Sequence, residues 1–318
     1  MASVRNLKLI LSYVGTHYMG WQKTPLGPSI EQSLSCALQT ILQQTVLLQA
    51  ASRTDAGVHA EGQVVNFFTD NSISLSQLLR SLNGMLSKDI RIQSVEEMPL
   101  NFHPTTHCIQ KEYHYTLNTQ RIPSPFHRKT SWHFPYPLDL ALMTQAIPYL
   151  IGSHDFSAFC NARALWTRDS ICSLKTITIE TPFDTHLNLE TAIGDGKLTQ
   201  SFEPEPLPIG GPFTVRECAP PIEKGSDSKP CITLPSTTAV FGLKFILTGD
   251  HFLYKMVRNL VGTLVYIGCC KISLEELPSI LKNKDRRQAG ITAPAHGLCL
   301  KRICYKPEVP VTVYTARS

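Results

Sequence analysis

Alternating apolar and polar positions predict the strands of the N-terminal half, and apolar residues at helical spacing predict its helices. The segment from Leu7 to Tyr13 alternates like a half-buried strand. A capping box over Ser29–Gln32 then opens a helix, whose apolar face consists of Ile30, Leu34, Leu38, Ile41 and Leu42. The other predicted elements here are strands over Val46–Gln49, Gln63–Thr69 and Ile90–Glu96 and a helix from Ser74. Their order is βαββαβ-like.

The second half loosely repeats this order. Predicted strands cover Glu112–Leu117, Ile177–Glu180, Phe241–Leu247 and Gly297–Tyr305. Predicted helices cover Leu138–Ile151 and Phe252–Ile267, and a capping box at Ser273–Glu276 precedes a short helix interrupted near Pro278. Strands and helices in this mixed order favour an α+β fold with mainly antiparallel sheets over a doubly wound parallel fold.

The length of 318 residues predicts two domains. We place an N-terminal α+β domain at 1–106 and a C-terminal α+β domain at 107–318. Within the second domain, residues from about 181 to 238 are rich in Pro, Gly, Ser and acidic side chains and have weak periodicity. This stretch is predicted to be an irregular insertion outside the core.

Composition narrows the class of protein. With 42% hydrophobic and 17% charged residues and no apolar run near the ~20 residues of a membrane span, the chain is predicted to be globular and cytoplasmic, without a secretion signal. Ten scattered cysteines without a C-x-x-C pair favour reduced thiols over disulfides, and no metal site is expected. The net charge of +5 permits a polyanionic partner without demonstrating one.

A polar, glycine-containing loop over Ala51–Ala60 is the strongest candidate for chemistry. Asp55 stands close to Arg53 and is followed by small residues that let a substrate approach, which suits an ionised carboxylate used as a nucleophile. On composition alone, an ordinary turn with Arg53 in a surface ion pair explains the loop more readily.

Six blocks of the sequence favour the catalytic interpretation of this loop over an ordinary turn. They are Tyr13–Gln22, Ser52–Ala60, Lys111–Tyr115, His154–Phe159, Phe252–Gly262 and Thr292–Leu298. In this collinear order they resemble the tRNA pseudouridine synthase A (TruA) family, whose catalytic signature is the Arg-Thr-Asp-Ala-Gly loop. The resemblance covers almost the whole chain, and the segment after Glu180 departs from the family's pattern.

The resemblance implies a fold, an activity and partners. Two related α+β halves would meet at a central RNA-binding cleft, in a homodimer that needs no cofactor. The expected reaction converts uridine to pseudouridine in the anticodon stem-loop of tRNA, at positions 38, 39 and 40. Two alternatives stay open: a non-catalytic RNA-binding protein on the same scaffold, and a pseudouridine synthase with other RNA targets.

The same resemblance assigns roles to residues. Asp55 corresponds to the nucleophile, which would form an adduct at either the uracil or the ribose, and Arg258 to the arginine that pairs with it. Tyr113 corresponds to the tyrosine that supports the flipped base, with a hydroxyl suited to proton handling at C5. Arg53 and Lys255 are further substrate-binding candidates. Without the resemblance, Tyr113 would be a sheet-packing residue and Arg258 a solvent-facing one.

Other side chains are weaker candidates for the RNA interface. Phosphate contacts are expected among Arg121, Arg128, Lys129, Arg163, Arg168, Lys284, Arg286 and Arg287, although each alone reads as an ordinary surface charge. His17 is a candidate to line the cleft, and Trp21 either lines it or belongs to the core.

Overall fold

The computed structural model describes residues 3–161, 170–181 and 242–306, together with the backbone of a short strand near the C-terminus. Except for Thr181, the predicted insertion at 181–238 lies outside these residues. In the described ranges, no helix is long and apolar enough to span a bilayer.

The described strands form one mixed sheet in which antiparallel pairing predominates. They are β1 (Arg5–Tyr13), β2 (Gln49–Ala50), β3 (His59–Thr69), β4 (Ile90–Met98), β5 (Cys108–Asn118), β6 (Trp132–His133), β7 (Gly152–Asp155), β8 (Ile171–Glu180), β9 (Leu243–Gly249), β10 (Leu298–Tyr305) and β11 (Thr312–Thr315). Their order is β11-β4-β1-β3-β10-β5-β9-β8-β7, with β2 beside β3 and β6 beside β5. Only the β3–β10 and β5–β6 pairs in this described sheet are parallel.

Five α-helices are described, and polar side chains cap three of them. They are α1 (Ile30–Leu42), α2 (Leu75–Met85), α3 (Leu140–Leu150), α4 (Met256–Gly268) and α5 (Leu277–Asn283). The hydroxyls of Ser29 and Ser74 and the carboxylate of Asp139 each accept a backbone N–H from the first turn of α1, α2 and α3, respectively. Helix α1 contacts α2, α3 contacts α4, and their apolar faces are buried. This confirms the predicted α+β fold class.

Several predicted boundaries are wrong. The strand predicted over Val46–Gln49 is reduced to the two residues of β2. Helix α4 begins at Met256, not Phe252, because Lys255 adopts a left-handed backbone conformation (φ 61°) that a helix cannot contain. Pro278 does not interrupt α5 but occupies its first turn, where proline is tolerated.

The centre of the sheet joins strands that are far apart in sequence. Strand β10 lies between β3 and β5, so that Leu300 pairs with Ala60 on one side and with Tyr113 on the other. The sheet is continuous across strands from both sides of the predicted domain boundary at residue 106. The division into domains 1–106 and 107–318 stays a prediction.

Candidate active site

Asp55 lies in a tight turn between β2 and β3. The Val58 N–H donates to the Asp55 carbonyl at 3.1 Å, and Gly57 has a φ of 79° that a side chain would strain. The Gly57 N–H donates to the carbonyl of Tyr18 at 3.2 Å. The turn is therefore attached to the segment that follows β1.

Residues Tyr13–Gln22, which begin at the last residue of β1, support the turn at two further points. The Trp21 N–H donates to the Thr54 carbonyl at 3.0 Å, and the hydroxyls of Thr54 and Tyr13 lie 2.8 Å apart. Gly20 approaches so closely that an added Cβ would lie 2.6 Å from the Thr54 carbonyl oxygen. The first and second blocks of the resemblance are thus one structural unit.

Arg258 holds the Asp55 carboxylate. Its Nη1 lies 2.9 Å from Asp55 Oδ2, and its Nε donates to the Ala293 carbonyl at 2.7 Å. The side chains are only 12% (Arg258) and 15% (Asp55) exposed, so water screens the pair weakly. The predicted pairing between the two residues is present, and it fixes the direction of the carboxylate.

Tyr113 belongs to the same cluster. Its hydroxyl lies 2.7 Å from the Ser52 hydroxyl, and its ring makes an edge contact with Phe252 at 5.2 Å between centroids. Burial raises the pKa of Tyr113 well above its ordinary value of 10.0, and the negative charge of Asp55 raises it further. The phenol therefore carries its proton at neutral pH.

Two polar side chains that have no predicted role hold the other end of the loop. Lys111 Nζ donates to the Ala51 carbonyl at 2.8 Å, and Gln63 Nε2 donates to the Ser52 carbonyl at 2.6 Å. The period of a strand could have indicated Lys111, because it shares a face of β5 with Tyr113. Gln63 gives no such signal, since its partner is set by tertiary structure.

The two predicted substrate-binding cations are placed differently. Arg53 is exposed beside Asp55 and lines a concave surface with Trp21 and His103. Lys255 precedes α4 rather than lying within it, and its ammonium stands over the Tyr254 ring at 5.1 Å. Its contact with substrate stays a prediction.

Among the predicted phosphate contacts, Arg286 has a structural role instead. Its guanidinium donates to Asn259 Oδ1 at 2.8 Å, to Thr292 Oγ1 at 3.0 Å and to the Gly290 carbonyl at 2.7 Å. These bonds fix the segment before Ala293, whose carbonyl in turn holds Arg258. A phosphate would have to displace them.

The remaining candidates are divided between paired and exposed side chains. Lys284 pairs with Asp155 and Arg287 with Asp285, whereas Arg121 and Arg128 are exposed and have no acidic partner in the described chain. Lys129 Nζ lies 3.3 Å from His17 Nε2, and Trp21 is buried. Arg163 and Arg168 lie outside the described residues.

Within the described ranges, no group of three or more metal-ligating side chains could hold an ion.

Comparison with known proteins agrees with the family resemblance seen in the sequence. A family model described as tRNA pseudouridine synthase matches residues 9–105 and 146–306, more than half of the chain. The chain is 44% identical over 304 residues to tRNA pseudouridine synthase A 2 of Protochlamydia amoebophila, covering 95% of both chains. It is 34% identical over 302 residues to tRNA pseudouridine synthase A of Acetivibrio thermocellus, covering 95% of this chain and 100% of the relative.

Proposed function

This chain belongs to the tRNA pseudouridine synthase family, and we propose that it isomerises uridine to pseudouridine in tRNA with Asp55 as the nucleophile. The observation that carries the proposal is the shielded ion pair between Asp55 and Arg258 beside the buried phenol of Tyr113. Such a pair suits covalent chemistry because the carboxylate keeps a fixed direction beside a cation.

Each group has a defined task in this reaction. A flipped-out uridine presents either uracil C6 or ribose C1′ to the Asp55 carboxylate, which bonds to that carbon. The N1–C1′ bond breaks, the uracil rotates, and C5 bonds to C1′. The bond between Asp55 and the nucleotide then breaks, which restores the carboxylate. The proton leaves C5 and N1 ends protonated, so no external reactant is consumed. The Tyr113 hydroxyl, which is hydrogen-bonded to the Ser52 hydroxyl, is suited to handling the proton that leaves C5.

Arg258 contributes orientation and Arg53 contributes RNA contact. Because Arg258 is attached to Ala293 as well as to Asp55, it keeps the carboxylate aimed while the base turns. Arg53, exposed beside the nucleophile, is placed to fill the gap that the flipped base leaves in the stem or to bind its phosphate. Lys255 is assigned to substrate binding as well.

The finer assignments rest on the resemblance. We infer a cytoplasmic homodimer that modifies uridines on the 3′ side of the anticodon stem-loop. The reaction needs neither metal nor cofactor, since every step above is a rearrangement of one nucleotide.

Mapping pseudouridine in unmodified tRNA transcripts tests the proposal. Wild-type protein should modify uridines in the anticodon stem-loop, and Asp55→Ala should modify none. Modification at other positions would favour a synthase with other RNA targets. Tight tRNA binding without modification by the wild-type protein would favour the non-catalytic alternative.

A further inference from the structure

We propose that the loop joining β5 to β6, residues 119–131, is a second RNA-binding element beside the active site; we call it the basic loop. In this proposal Phe126 stacks on a base and Arg121 and Arg128 contact phosphates. The inference rests on the proposed function and extends it from the reacting nucleotide to the surrounding RNA.

Charge singles out this loop. Between Glu112 and Asp139 the sequence has no acidic residue, yet it contains Arg121, Arg128 and Lys129. Arg121 and Arg128 are exposed and pair with no acid among the described residues. A cationic surface without internal neutralisation attracts a polyanion.

Exposure of an aromatic side chain is the second observation. Phe126 is 88% exposed, in a 3₁₀ turn over Pro125–His127 whose N-cap Ser124 accepts the Phe126 N–H. Ile122 is 83% exposed nearby in sequence. Apolar rings held out into water between cations are typical of surfaces that stack on unpaired bases.

The basic loop is attached to the catalytic loop by His59. Nδ1 of His59 accepts the Gly15 N–H at 3.2 Å, which leaves Nε2 to donate to the Lys129 carbonyl at 2.9 Å. Burial lowers the pKa of His59 and so favours the neutral ring that this arrangement requires. Since His59 directly follows the turn closed by the Val58 N–H and the Asp55 carbonyl, the basic loop is held beside the segment that carries the proposed nucleophile.

A second copy of this chain is the rival occupant. Two basic loops meeting across a two-fold axis would bring like charges together without acidic partners. RNA offers both the phosphates and the bases that the loop can bind. The observations therefore favour RNA.

The test measures equilibrium binding of an unmodified tRNA transcript over a range of salt concentrations. Loss of one stacked base predicts that Phe126→Leu weakens binding by about 5- to 150-fold, and Phe126→Trp should restore it. Arg128→Gln should reduce the slope of log Kd against log salt by about one unit. Phe68→Leu and Arg80→Gln are matched controls, because Phe68 lies at the opposite end of β3 from His59 and Arg80 is exposed on α2.

Affinity unchanged within twofold in Phe126→Leu, or weakened equally in Phe68→Leu, would overturn the inference. So would sedimentation showing that Phe126→Leu converts a dimer to a monomer, since the loop would then be a subunit contact. Melting curves of each variant check that the fold is retained. Absence of pseudouridine in wild-type reactions would end the proposed function instead, and the binding data would remain interpretable without it.

Discussion

Arg258 is fixed at two points, and substitutions can separate its charge from its geometry. Arg258→Ala should lower the single-turnover rate about 100-fold or more, because a carboxylate released from its partner is no longer aimed at the reacting carbon. Arg258→Lys keeps the charge but cannot reproduce both bonds, so an intermediate rate is expected. Rates at saturating tRNA, with circular dichroism to confirm that α4 is intact, decide this. A wild-type rate in Arg258→Ala would contradict the role.

Tyr113 offers a comparison between losing a hydroxyl and losing its hydrogen bond. Tyr113→Phe keeps the buried ring but removes the proton carrier, which predicts a rate loss of about 10²- to 10⁴-fold. Ser52→Ala removes the same hydrogen bond and leaves the phenol, so a loss of about tenfold or less is expected. Equal losses in the two variants would show that only the hydrogen bond matters.

The raised pKa of Tyr113 also predicts that ionisation of this phenol does not affect the rate below pH 10.0. A phenol whose pKa lies above its ordinary 10.0 keeps its proton through neutral and moderately alkaline pH. The pH–rate profile of the wild type should therefore show no ionisation below pH 10.0 that Tyr113→Phe abolishes. Such an ionisation would contradict the assigned protonation state.

For single residues, the sequence predicts candidate site residues but few of the contacts between them. Family motifs predict Asp55, Tyr113 and Arg258 as site residues. No local pattern predicts that they touch, because they lie far apart in the chain. Arg286 shows the limit: a cation on a polar segment looks like a phosphate ligand, whereas its actual partners come from α4 and the loop before Ala293.

Among the elements, the connection between β1 and α1 supports the turn that contains Asp55. Gly20 has a φ of 88°, and an added Cβ would lie 2.6 Å from the Thr54 carbonyl oxygen. Gly20→Ala should therefore lower the free energy of unfolding by about 1–3 kcal/mol or more and reduce activity in parallel. Urea denaturation measures the first effect.

Gly84 provides the matched control. It is an exposed residue of α2 with nothing within 4 Å of an added Cβ. Gly84→Ala should leave activity unchanged and raise stability by at most about 1 kcal/mol. Equal effects of the two substitutions would contradict the support role of Gly20.

The extents of most elements could be predicted because burial imposes a regular period on them. Strand β1, helix α1 and helix α2 agree with the apolar patterns to within a few residues. The start of α4 could not be predicted, because the apolar spacing continues back to Phe252 while the backbone of Lys255 is left-handed. Short strands such as β7 contain too few residues to show a period.

For the whole molecule, one ion pair links two distant segments and makes stability depend on pH. Asp155, at the end of β7, accepts the Ser157 N–H at 3.0 Å and lies 2.6 Å from Lys284, just after α5. Burial raises the pKa of Asp155, but the bonds from Lys284 and Ser157 outweigh it and hold the pKa below the ordinary 3.8. A depressed pKa stabilises the fold above pH 3.8, and this stabilisation is lost as the pH falls through the folded value.

Asp155→Asn tests this contribution. The variant should be less stable than wild type by about 1–2 kcal/mol at neutral pH, since a charged hydrogen bond and a partly exposed ion pair are lost. The difference should shrink as the pH falls below 3.8, because the unfolded wild-type chain then binds a proton that the folded carboxylate does not. Urea denaturation at pH 7 and at acidic pH measures it, and a difference independent of pH would contradict the assignment.

The order of strands in the sheet is the property that local sequence patterns predict least well. The sequence of β10 is typical of an ordinary closing strand. In the structure it lies between β3 and β5, so that only β10 separates the strand of Tyr113 from β3. The packing of the whole core determines which strands pair when they are so distant in sequence. A short stretch of sequence carries no information about that packing. The fold class could be predicted, but this juxtaposition could not.

Asp55→Asn tests the nucleophile most directly, because the substitution keeps the size of the side chain and removes its charge. Single-turnover pseudouridine formation and equilibrium tRNA binding would be measured on the same preparation. We expect the rate to fall by at least about 10⁴-fold while Kd stays within about threefold, since the backbone contacts remain. Pseudouridine formation at the wild-type rate by Asp55→Asn would contradict the assignment of Asp55 as the nucleophile.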